Sequence, residues 1–214
     1  MDKTHNKFVN SDLGTLSLIL QKARKKTANI PKPVTKTLHP MGDIVPYRNK
    51  TFVSFASEDI HAYRLMCAWR NNQNIAFDFH DAHDLNTARD TSAPQTINRR
   101  LRERLNNTKQ VVMLIGDETR RKAARNSSFI SYEVRAIHDL NLPVVFVNLN
   151  SSRASQKNRL PTMLSDQFSV CVSFQPKIIQ YALDNFVAEF SSSRSKRTAG
   201  PHYYRAEIYR GLGL

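Results

Sequence analysis

Two runs of the chain, QVVMLIG (110–116) and PVVFVNLN (143–150), are apolar at successive positions without alternation. A strand with one wet face alternates apolar and polar residues. A strand that does not alternate is covered on both faces, which marks a parallel sheet with helices on each side. The neighbouring segments fit that arrangement. TFVSF (51–55) reads as a first strand, and Asp59–Asn71 as a helix with Leu65, Met66 and Trp69 on one side. Ile75–Phe79 reads as a second strand, and 80–94 as a polar loop. Pro94 then opens a helix through Ile97, Leu101 and Leu105. Phe129–Leu140 reads as the next helix, SVCVSF (169–174) as a fifth strand, and Lys177–Phe190 as a last helix.

Strands and helices in alternation predict an α/β domain of flavodoxin-like type, with five parallel strands ordered 2-1-3-4-5 and helices on both faces. No GxGxxG follows the first strand and no GxxxxGK[ST] occurs, so neither a dinucleotide-binding Rossmann site nor a P-loop is supported. The flanks differ in texture. Asp12 begins a candidate helix through Lys26, followed by a connector with four prolines (29–50). SSSRSKRTAGP (191–201) reads as a hinge before an aromatic and basic tail, HYYRAEIYRGLGL. The expected domains are an extension over 1–50, the α/β domain over 51–190, and a linker with tail over 191–214.

Of the net charge of +14, residues 1–50 supply +7, from ten Lys/Arg against three Asp/Glu. The domain segment 51–174 is only mildly basic, with sixteen against twelve. A basic arm serves solubility as readily as polyanion binding, so nucleic acid is disfavoured as a partner. Cys67 and Cys171 are far apart and form no CxxC pair, which favours buried free thiols over a disulfide or zinc site. No apolar run is long enough for a membrane span, and MDKTHNKFVNSDLG has no secretory h-region. A cytoplasmic protein without membrane contact is the expectation.

In such a sheet, ligands bind beyond the carboxyl ends of the strands where strand order reverses, between strands one and three. The expected walls are Ala56–Asp59, the loop 117–126 and the helix that follows. With Ile130 at zero and ~100° per residue, Glu133 falls at roughly −60°, inside the arc of Phe129, Val134, Ala136 and Ile137. It is the one charged residue there, with Ser131 and Tyr132 placed on the polar side. A carboxylate facing the sheet is either paired structurally or kept for chemistry. Asp59 suits a helix N-cap. His80 and His83 in FDFHDAHD (77–84) lack the helical setting that would aim both at one metal, so no metal is expected and a loop gating the site is preferred. Arg120, Arg121 and Lys122 read as a solvated basic turn. Tyr203, Tyr204 and Tyr209 suit docking on this domain or a second copy better than stacking on bases.

TFVSFASED, LNNT, LIGDET, FISYE and PVVFVNLN, in this order and spacing, resemble the TIR-like domains of the Thoeris anti-phage system over roughly residues 51–150. In TIR-type NAD-consuming enzymes an aromatic residue, usually Trp, precedes the catalytic Glu by four positions. Phe129 and Glu133 have that spacing here, with Phe in place of Trp. The resemblance implies Glu133 as the catalytic residue, and Phe55, Ala56, Ser57, Asp78 and Phe129 as nucleotide contacts. It implies NAD as substrate with no bound cofactor, and cleavage of the nicotinamide–ribose bond. It further implies self-association, a phage-derived trigger, and a diffusible product that activates a separate effector. A non-enzymatic TIR-like module that binds a nucleotide or partner is the alternative.

Overall fold

The computed structural model describes residues 50–81, 94–126, 128–192 and 200–214. The candidate helix Asp12–Lys26, its connector, His83 with most of the gating loop, and most of the hinge lie outside the described residues. The chain divides into two units, Met1–Tyr47 with Leu85–Ile97, and Arg48–Asp84 with Asn98–Leu214. Of the first, Pro94–Ile97 is described, as the first turn of a helix. The sheet lies in the second.

Six parallel strands, β1 (Lys50–Ser54), β2 (His80–Asp81), β3 (Gln110–Ile115), β4 (Val144–Asn148), β5 (Ser169–Ser173) and β6 (Pro201–Tyr203), stand in the order β2-β1-β3-β4-β5-β6. The helices are α1 (Ile60–Asn71), α2 (Pro94–Asn106), α3 (Thr119–Ala123), α4 (Phe129–Asp139), α5 (Pro176–Ser192) and α6 (Ala206–Gly211). Every residue of β3 and β4 is buried, as their lack of alternation requires. Side chains alternate along each strand, so the sheet feeds two separate cores. Val53, Val112, Val145 and Val172 pack with Met66 of α1 and with Ile179 and Phe186 of α5. Phe52, Met113, Ile115 and Phe146 pack on the other face with Leu105 of α2 and with Ile130, Val134 and Ile137 of α4. Ser54 shares the face of Phe52 by the same alternation.

The second strand departs from expectation. Ile75–Phe79 makes no ladder, and the strand is His80–Asp81, paired with Lys50 and Thr51. Phe77 and Phe79 are nonetheless buried. Their period-2 spacing reports a covered face, which this segment achieves without strand pairing. Its N–H groups bond elsewhere: Phe77 N–H donates to Ile75 O at 2.8 Å, and Asp78 N–H to Gln180 Oε1 at 2.8 Å. The loop expected over 117–126 contains α3, a single turn.

The tail also differs from a bare extension. Pro201–Tyr203 adds β6 to β5, and α6 seats Tyr209 fully buried. Its hydroxyl accepts from Ser173 N–H at 3.2 Å, and the Arg153 guanidinium lies 4.4 Å from its ring centre. Lys177 Nζ donates to Leu212 O at 2.9 Å. Of the aromatic pair before it, Tyr204 packs edge-on against Tyr181, while Tyr203 is exposed. The tail docks on its own domain. Among the described residues no helix is long and apolar enough to cross a membrane.

Candidate active site

At the carboxyl end of β1 the chain leaves the sheet through Phe55–Asp59 and enters α1. At the carboxyl end of β3 it passes Gly116, turns through α3 and begins α4. These two exits flank the boundary at which strand order reverses, the position where open α/β sheets bind ligands.

Ser128 opens α4 as its N-cap, its Oγ accepting from Ser131 N–H at 3.2 Å. Glu133 then lies one turn into the helix. Ser54 Oγ, fully buried at the end of β1, donates to Glu133 Oε2 at 2.6 Å. Glu133 as a residue has intermediate exposure, and burial desolvates its carboxyl. Burial pushes its pKa from 4.5 up to about 7, with the Ser54 hydrogen bond and the charge of Arg104 opposing the rise. The sequence placed Glu133 toward the sheet, and so it stands, bonded to Ser54 with the charge of Arg104 acting on it. Ser131, placed on the polar side of the helix from the sequence, is buried. Phe129, one turn before Glu133, is half-buried at the start of α4.

The first loop is tied to the second. Lys122 Nζ reaches Glu58 Oε1 at 2.6 Å and Ser57 Oγ at 2.7 Å. Glu58 keeps a pKa below the ordinary carboxylate range because Lys122 and Ser57 bond it, against the opposing effect of burial. Phe55 stacks on Tyr63 of α1 with ring centres 5.1 Å apart, and the Tyr63 hydroxyl donates to Asp81 Oδ2 at 2.7 Å. Ala56 is buried. The basic turn is engaged with the protein throughout: Arg121 pairs with Glu118, and Arg120 Nη1 donates to Lys157 O at 3.0 Å.

Asp59 stands at the N-cap position of α1, but its side chain makes no capping bond. It turns inward instead and is 8% exposed, pressed on Gly116 so closely that a Cβ there would lie 2.3 Å from either carboxyl oxygen. Burial raises its pKa above the ordinary value. No motif in the sequence pointed to this contact.

The structure thus gathers Phe55, Ala56, Ser57, Phe129 and Glu133 around the ends of β1 and β3. Asp78 stands apart. It precedes β2, whose His80 pairs with Lys50 at the first residue of β1, so it lies at the amino end of the sheet. Among the described residues no group of three His, Cys, Asp or Glu is arranged to hold a metal. Cys67 is half-buried and Cys171 buried, and both are free.

The strand order, the two covered faces and a carboxylate helix at the crevice define a TIR-like protein of flavodoxin-like architecture. Residues 52–154 match the family model of the TIR-like domain of the Thoeris protein ThsB. That match supports a ThsB-like, TIR-like protein. No curated protein matches it.

Proposed function

We propose that the domain cleaves the nicotinamide–ribose bond of NAD, with Glu133 as the catalytic carboxylate. The observation that carries this reading is the Glu133 carboxyl, held by buried Ser54 at 2.6 Å beside the sheet's ligand crevice. Departure of neutral nicotinamide takes the bonding pair with it and leaves positive charge on the ribose C1′ and ring oxygen. An anionic Glu133 beside that carbon stabilises the charge and accepts hydrogen bonds from the 2′ and 3′ hydroxyls. The Ser54 bond fixes one carboxyl oxygen and leaves the other for the sugar. Water as acceptor gives ADP-ribose and a proton; another nucleophile gives a cyclic or conjugated product.

The defence context of the ThsB family supports a product that acts as a diffusible signal for a separate effector, made in the cytoplasm after a phage-derived trigger. Phe129 in place of the usual Trp favours the second reading, a TIR-like module that binds a nucleotide without cleaving it. Incubating the full chain with NAD, with and without lysate from phage-infected cells, and reading products by mass spectrometry separates the two. Release of nicotinamide, lost in Glu133→Gln, supports the enzyme. Intact NAD under both conditions, recovered bound to the chain, supports the module.

A further inference from the structure

The carboxylate of Glu58 is held at both of its oxygens. Oε1 lies 2.6 Å from Lys122 Nζ, and Oε2 accepts from Ser57 Oγ at 3.0 Å. Lys122 Nζ also donates to Ser57 Oγ at 2.7 Å, so one ammonium and one hydroxyl close a ring around a single anion. The three groups come from the two chain exits that flank the ligand crevice: Ser57 and Glu58 follow β1, and Lys122 lies on α3 beyond β3. Access to solvent divides them. The Lys122 side chain is 14% exposed, whereas that of Glu58 is 50% exposed. An ion pair with one partner so open to water is weakly held. A phosphate presents several oxygens on one centre, as a carboxylate does, and carries more charge; a lysine takes either as a point charge.

We propose that Lys122 and Ser57 bind a phosphate group, and that Glu58 occupies its place in the ligand-free chain and yields it when the phosphate arrives. The inference rests on the nucleotide reading of the crevice, and gives the diphosphate of that nucleotide to these two residues. The shared chemistry is a phosphate anion, so free inorganic pyrophosphate meets the same groups. Entry needs no buried cavity, because withdrawal of the half-exposed Glu58 side chain opens the Lys122 ammonium to the crevice. Glu58 is then a tethered competitor. Its tether raises its local concentration, while its single charge is outmatched by a diphosphate. It lowers the fraction of chains ready for the ligand, and the apparent affinity falls by that fraction.

The test is isothermal titration of the full chain with ADP, inorganic pyrophosphate and adenosine, none of which carries a nicotinamide. Lys122→Met is expected to weaken ADP binding by about tenfold or more, through loss of the cation. Glu58→Gln breaks the same ion pair from its other side and is expected to tighten ADP by about threefold or more. Opposite responses mark displacement, because a clasp that only holds the loop is lost in both variants and moves them the same way. Glu118→Gln removes an equal charge from the neighbouring turn, where Glu118 pairs with Arg121, and is expected to change ADP binding by less than about twofold. Adenosine is expected to be indifferent to all three. Near-ultraviolet circular dichroism checks each fold, and tightening confined to Glu58→Gln suffices if Lys122→Met does not fold. Weakening in both variants, no change in either, or equal tightening in Glu118→Gln overturns the proposal. So does failure of ADP and pyrophosphate to bind either the parent chain or Glu58→Gln. Opposite responses with pyrophosphate alone keep the phosphate site and exclude the nucleotide as its source. NAD cleavage with responses of one sign removes the phosphate site and leaves the reading of Glu133 intact. Opposite responses on ADP in a chain that releases no nicotinamide do the reverse.

Discussion

Above pH 7 the Glu133 carboxyl carries a charge in surroundings that oppose it. Its proton is held more tightly in the folded chain than in the unfolded one, with a pKa of about 7 against 4.5. Between those values the folded state binds more protons, so stability from this group falls as pH rises and levels off above 7. The full difference is about 3 kcal/mol. Glu133→Gln removes the charge and keeps an acceptor for Ser54. Relative to the parent chain, the variant is therefore expected to gain about 3 kcal/mol between pH 4 and pH 8 in urea unfolding. An equal difference at the two pH values would contradict the burial of the carboxyl. The same ionisation sets the activity profile: NAD cleavage is expected to rise with pH through about 7, since only the anion stabilises the developing cation. In Glu133→Gln, turnover falls by about 100-fold or more at every pH. At Gly116 the constraint is space alone. Gly116→Ala drives a methyl into the Asp59 carboxyl and is expected to cost about 1–3 kcal/mol, read as a lower denaturation midpoint.

Lys122 joins the exit of β1 to the short α3. Lys122→Met keeps the stem and loses both bonds. Faster amide exchange over 55–59, with β3 unchanged, is the expected result; unchanged exchange in the loop would show the clasp to be idle. How much the sequence discloses varies by element. β3 and β4 are legible because burial on both faces leaves an unbroken apolar run. Glu133 is legible because a single charge interrupts the apolar arc of α4. Its partner Ser54 is a common strand-end residue and carries no signal of its own. The Asp59–Gly116 contact was hidden because it joins separate elements through the absence of a side chain. β6 was missed because three residues show no periodicity, and a low-complexity stretch precedes them. The Ile75–Phe79 misassignment has a different cause: alternation reports which side is covered, not whether the backbone is paired.

For the whole molecule, the sheet's outer edge depends on the segment 200–214. Tyr209 closes the core beneath β5, and Tyr209→Ala is expected to cost about 3–5 kcal/mol, measured by calorimetry or denaturant unfolding. The extension 1–50, with half the net charge and a candidate amphipathic helix, is proposed to mediate self-association. Deleting residues 1–30 is expected to lower the mass seen by light scattering; an unchanged mass would remove that role. The Ser54–Glu133 bond spans 79 residues of sequence and depends on the parallel pairing of β1 with β3. Such distant pairing is among the slower events of folding. Until it occurs the Glu133 carboxyl sits in water and behaves as an ordinary acid. A chain refolding at pH 6 must therefore draw a proton from solution as the centre of the sheet closes. In a weak buffer with an indicator dye, that uptake provides a clock for site assembly, and Glu133→Gln would slow nothing yet erase its part of the signal.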